Sequence, residues 1–156
     1  KKNFNSVCIG TNNEIINPLY HGEVSTIINF FKIKNVNPKD YFFVSSHEPC
    51  SLCLSAITWA GFNNFYYLFP YEDTKITFDI PHDLKILEEI FNVQKGNYNK
   101  SNKYWNSFSI NDEVKKINDD FVKNNLLKKI KKINNCYLKL SQNYQINKKN
   151  NKIPLN

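Results

Sequence analysis

Arginine and methionine are absent from these 156 residues, and glycine occurs only four times. Without arginine the chain has no side chain suited to bidentate contact with phosphate or guanine, so its formal charge of +7 is a weak argument for nucleic acid. Without methionine no initiator is present, and Lys1 is expected to be a cut or truncated start. No apolar run approaches the roughly 18 residues that a membrane-spanning helix needs, which excludes that class of membrane protein. A charged-then-apolar leader is also lacking at the start. In that setting four cysteines point to a reducing, cytoplasmic compartment, where thiols bind metal or do chemistry more often than they pair. Hydrophobic residues at 41% and aromatics at 15% are enough for the core of one domain and exclude a wholly disordered chain.

The charge is unevenly placed. Residues 1–111 hold 10 lysines against 10 acidic residues, whereas residues 112–156 hold 11 against 4. The whole net charge therefore lies in the last 45 residues. This divides the chain into a neutral domain over 1–111 and a lysine-rich helical extension over 112–156 with a frayed end.

Hydrophobic patterning predicts a strand over 6–16 broken by a turn at 10–13. Asn17-Pro18 then opens a helix reaching about Lys32. Tyr41–Val44 and Phe65–Phe69 read as strands buried on both faces. Between them, a helix begins at Pro49-Cys50 and is stopped by Gly61. A further helix is expected over 83–91 and a short strand over 104–110. One long helix should follow over 112–144, with Leu126, Ile130, Ile133, Tyr137, Leu140 and Tyr144 as its apolar stripe. Strand–helix alternation of this kind specifies an α/β fold.

Two short motifs carry chemistry. Cys50 and Cys53, three residues apart at a helix start, project from one side of a turn where the helix dipole favours thiolate. His21-Gly22-Glu23 supplies an imidazole and, two residues on, a carboxylate. Two thiolates and one imidazole leave the fourth zinc position to water, as in catalytic sites, while Cys8, Cys136 or His47 would close the site as a structural one. Glu23 is then free to move a proton. Jointly, His-x-Glu and Pro-Cys-x-x-Cys form the signature of zinc deaminases.

On these motifs the chain resembles the cytidine deaminase superfamily, in the branch of guanine deaminase, yeast-type cytosine deaminase and tRNA adenosine deaminases. His21–Thr26 is similar to the cytosine deaminase helix, and Glu48–Ala60 to that of guanine deaminase. The likeness covers roughly residues 7–92. It implies a three-layer fold, a mixed β-sheet with helices on both faces, here with the C-terminal basic helix added and the family's N-terminal helix and first strand missing. It implies one Zn2+ per chain held by His21, Cys50 and Cys53, with Glu23 as proton shuttle. Asn12, Ser46, Glu48 and Asp79 are the substrate contacts it suggests. The expected reaction is hydrolytic deamination of a small base or nucleoside, hydroxide generated at the metal attacking the amine-bearing ring carbon. A homodimer and no membrane are the expected associations.

Two other readings stay open: a tRNA adenosine deaminase using the basic extension on RNA, and a non-catalytic zinc module that binds RNA. Salt dependence separates the small-base reading from the tRNA reading, because neutralising several phosphates gives a steep slope and a free base almost none. Among remaining residues, Cys8, Trp59 and Trp105 read as core and Cys136 as half-buried. Asp83 reads as a helix cap, His47 as a loop histidine bonded to backbone, and Lys128, Lys129, Lys131 and Lys132 as a solvated face.

Overall fold

Two parallel strands and the helix that crosses between them set the frame. In the computed structural model, which describes residues 4–147 and 153–155, β1 is Phe43–His47 and β2 is Asn64–Phe69. They are joined by α2, Ser51–Ala60, and pair in parallel, Phe43 with Phe65 and Ser45 with Tyr67. After β2 come α3, Tyr71–Ile76, and α4, His82–Phe91, and then β3, Asn106–Ser109, parallel to β2. The sheet order is β1-β2-β3. α1, Gly22–Phe30, precedes the sheet, while α5, Ile110–Lys115, and α6, Asp120–Asn147, follow it.

Two clusters make the core. Phe30 of α1, Leu54 and Ile57 of α2, and Phe43, Phe65 and Tyr67 of the strands pack with Phe62 and Trp105. The Trp105 indole also donates to Thr58 Oγ1 at 2.8 Å, so this ring is core as expected and its N–H is satisfied. The second cluster, Leu68, Phe69 and Phe78, lies at the ends of the strands and is packed by Ile110, Ile130 and Tyr137. It is this cluster that brings α6 against the domain. Gly61 ends α2 in the left-handed conformation, φ +81, where a side chain would be strained.

Several expectations change. The α/β class holds, but among the described residues the strand pairs are parallel rather than mixed. Residues 6–16 form no strand, because a strand exists only where a neighbour completes its hydrogen bonds, and this segment has no ladder. Asn17 does not cap a helix. Its Oδ1 accepts from Leu19 N at 3.0 Å inside a turn closed by Asn13 N to Tyr20 O, 2.8 Å, so α1 starts only at Gly22. β1 is not buried on both faces: Val44 is 62% exposed. Trp59, expected in the core, points outward from α2 at 91% exposure.

The C-terminal stretch is two helices. Asp119 Oδ1 accepts from Val122 N at 3.0 Å, and such a capping residue starts a new helix instead of continuing the old one. On α6, Leu126, Ile130, Tyr137 and Tyr144 are half-buried, but Ile133 and Leu140 are exposed and Asn134 and Ser141 take their places inward. A straight helix of 3.6 residues per turn drifts off a four-three stripe. Cys136 is exposed, while Lys128, Lys129, Lys131 and Lys132 face out as expected. No helix among the described residues is long and apolar enough to cross a membrane. The expected start at Lys1 and most of the frayed end lie outside the described residues.

Candidate active site

The first turns of α1 and α2 meet beside the C-terminal end of β1, which is where ligand crevices form in parallel sheets. His21 is the residue that begins α1, and Cys50 is the one that begins α2. Each sits at the N-cap with extended backbone and no side-chain cap bond, so its ring or thiol is free to turn inward. Glu23 and Cys53 follow in the first helical turns.

His21 Nδ1 lies 3.4 Å from Cys50 Sγ and 3.6 Å from Cys53 Sγ. Zinc with bonds of about 2.3 Å to sulfur and about 2.05 Å to nitrogen gives tetrahedral S···N edges of about 3.6 Å. The two sulfur-to-nitrogen distances therefore match the edges of a zinc tetrahedron. The three ligand atoms all lie within 4.8 Å of one another, and no fourth His, Cys, Asp or Glu among the described residues joins them. Cys8 instead donates to Thr26 O at 3.7 Å, and His47 packs against Phe69, Phe78 and Tyr137. Three soft or borderline donors with a fourth side open fit zinc in its catalytic arrangement.

The donors polarise one another. A hydrogen bond from the Cys53 thiol, and then the histidine beside it, lower the Cys50 thiol to about 5. The bond to Cys50 raises His21 to about 9. The same sharing with Cys50, together with burial and Glu23, pushes Cys53 far above the usual thiol range. Without metal at neutral pH the set is thus thiolate, imidazolium and thiol.

Two orienting contacts escaped the sequence reading. Glu14 Oε1 lies 3.0 Å from His21 Nε2, the ring nitrogen turned away from the thiols. A carboxylate there fixes the tautomer and aim of a metal-binding histidine. Ser45 Oγ donates to Glu23 Oε1 at 2.5 Å, while Glu23 Oε2 accepts from Cys53 Sγ at 3.2 Å. No spacing rule links Glu14 to His21 or Ser45 to Glu23, so only the fold brings them together.

A pocket of about 780 Å³ opens over the cluster. Asn12 and Ser46 line it; Asn12 Oδ1 is engaged by Glu14 N at 2.9 Å, and Ser46 Oγ lies 3.2 Å from His47 Nδ1. Glu48 is at the pocket wall, yet its carboxylate is spent behind it on Tyr71 N, Tyr98 Oη and Lys100 Nζ. Asp79 is exposed and outside the pocket, its place taken by its neighbours Phe78 and Ile80. Asp83 is no cap: it lines the pocket, and burial raises its carboxyl to about 7. Burial also lowers the pKa of His47. The opposite wall is α6, through Tyr137, Leu140, Ser141 and Tyr144. Ser141 Oγ and Gln145 Nε2 both donate to Phe78 O, at 3.1 and 3.0 Å, and so fasten that wall. The basic extension therefore contributes to the site as well as to the core.

Residues 1–69 match the family model described as the cytidine and deoxycytidylate deaminase zinc-binding region. No curated protein matches the chain.

Proposed function

We propose, from the match of residues 1–69 to the deaminase zinc-binding region and from the His21–Cys50–Cys53 cluster, that the chain is a zinc-dependent hydrolytic deaminase of a small nucleobase or nucleoside. The observation that carries this reading is the three-cornered His21–Cys50–Cys53 cluster with the unligated Glu23 carboxylate beside it. Zinc, when held there, supplies Lewis acidity that brings the pKa of water towards about 7.

The protein's own residues do the rest. Glu23, oriented by Ser45, takes a proton from water and delivers it to the ring nitrogen next to the amine-bearing carbon and then to the departing amine. Ammonia leaves. Glu14 keeps the His21 ring aimed. Asp83, near neutrality at neutral pH, offers the base either a donor or an acceptor. Tyr137 and Tyr144 of α6 give an aromatic wall and exclude water from one side. Leu52 and Trp59, both exposed on α2, are the apolar face on which this reading seats a second copy of the chain.

A second reading is favoured by one observation. The helix that walls the pocket carries Lys128, Lys129, Lys131, Lys132 and Lys139 on its outer faces, so an adenosine presented in an RNA loop would have cations beside it. Ammonia release from cytosine, guanine, adenine, their nucleosides and an RNA stem-loop, each at 50 and 200 mM salt, tests both. A free base should turn over with little salt dependence, whereas an RNA substrate should lose affinity steeply. Release from none of them by the zinc-loaded protein would refute the deaminase reading.

A further inference from the structure

The turn that delivers Cys50 from β1 to α2 is held from outside at three points. Glu48 N donates to Phe69 O at 2.8 Å, carrying the β1–β2 pairing one residue further. The Glu48 carboxylate, 2% exposed, accepts from Tyr71 N at 3.0 Å, Tyr98 Oη at 2.8 Å and Lys100 Nζ at 3.0 Å. The Tyr71 hydroxyl, finally, donates to Pro49 O at 2.5 Å. The turn before α2 is in this way stitched to the turn before α3.

The third contact bears on the metal site. A carbonyl and the amide that follows form one rigid plane, so the bond to Pro49 O sets the direction in which the chain enters Cys50. A helix start is usually held by its N-cap side chain, but the Cys50 thiol is committed to His21 and makes no cap bond. Something else must hold the entry, and Tyr71 is placed to do so. Its ring is backed by Gly96, which has φ +67 and where an added Cβ would stand 2.5 Å from Tyr71 Cδ2. A larger residue there would push the ring off its seat.

We propose that Tyr71 is a positioning residue of the metal centre, its hydroxyl fixing the Pro49–Cys50 peptide so that Cys50 Sγ meets His21 Nδ1 at metal-sharing distance. This rests on the reading that His21, Cys50 and Cys53 hold zinc. It adds a residue that neither donates to the metal nor reaches the pocket.

Tyr71→Phe in the full chain removes only the hydroxyl; the N–H to Glu48 and the ring against Gly96 remain. Zinc affinity by competition with a chromophoric chelator and the visible spectrum of the cobalt-substituted protein are the readouts. Tyr71→Phe should keep its far-ultraviolet circular dichroism and one metal per chain. It should bind zinc about tenfold or more weakly, as second-partner losses at metal sites do, with displaced cobalt bands. Tyr67→Phe is the control, since that hydroxyl meets Lys100 at 2.9 Å and makes no bond to Pro49 O. It should match wild type in both readouts. Wild-type affinity and spectrum in Tyr71→Phe, or an equal change in Tyr67→Phe, would overturn the proposal. Should Tyr71→Phe not fold, Glu48→Gln loosens the same turn and should weaken zinc likewise; unchanged binding there would also overturn it. The underlying metal reading fails separately, if wild type binds neither metal or Cys50→Ser binds as tightly as wild type.

Discussion

Zinc uptake should release two protons per ion at neutral pH, and this follows from how the three donors share charge. Cys50 at about 5 is already a thiolate at pH 7 and gives up nothing. His21 at about 9 carries a proton that the metal must displace. Cys53, raised far above the usual thiol range, carries a second. Metal ligands must be deprotonated, so apparent affinity rises tenfold per pH unit for each displaced proton. Between pH 6 and 8 the gain is about a hundredfold per unit, or roughly 2.7 kcal/mol. Below pH 5 Cys50 adds a third proton and the slope steepens; above pH 9 the His21 contribution fades. Zinc affinity can be followed by chelator competition across this range, and released protons counted with an indicator dye in weakly buffered solution. Using Asp83→Asn protein removes a neighbouring carboxyl that would add a fraction of its own. A slope near zero or one, or one proton or fewer per zinc, would refute the charge distribution on which the site is built.

Other outcomes follow from the same contacts. Glu23→Ala should keep one zinc per chain and the fold but lose 10²–10⁴-fold in turnover, roughly 3–5 kcal/mol, measured as ammonia release beside elemental analysis. Glu14→Ala should weaken zinc about 10–100-fold with Cys50 and Cys53 intact, read by the same chelator competition. Asp83 binds its proton more tightly folded than unfolded, so stability falls as pH rises from about 4 to about 7. Asp83→Asn should therefore match wild type near pH 4 and exceed it above pH 7, by about 2–4 kcal/mol in denaturant melts of chelator-treated protein.

What could be read before the fold was known is what short-range geometry dictates. His21 and Glu23 lie within one helix start and Cys50 and Cys53 within one turn, so their spacing alone says that they act together. Gly61, β2, α4 and β3 are likewise local. What escaped depends on partners distant in the chain. Ser45 reaches Glu23 across 22 residues and Trp105 reaches Thr58 across 47. Glu48 belongs by sequence to the cysteine motif, yet Tyr98 and Lys100, 50 and 52 residues away, draw its carboxylate into the interior. Residues 6–16 have strand-like patterning but no ladder, and pattern cannot supply a neighbour. The stripe on α6 showed that the helix is packed but placed Ile133 on the inner side, whereas a few degrees per turn, accumulated along 28 residues, turn it outward.

The most direct measurement is ammonia release as a function of zinc added back to chelator-stripped protein, with the base and nucleoside panel as substrate. Turnover of at least one member should rise in proportion to metal and level off at one zinc per chain, and Cys50→Ser should give none. Full loading at one zinc per chain with no ammonia from any base, nucleoside or RNA stem-loop would contradict the account. So would ammonia release that does not depend on zinc.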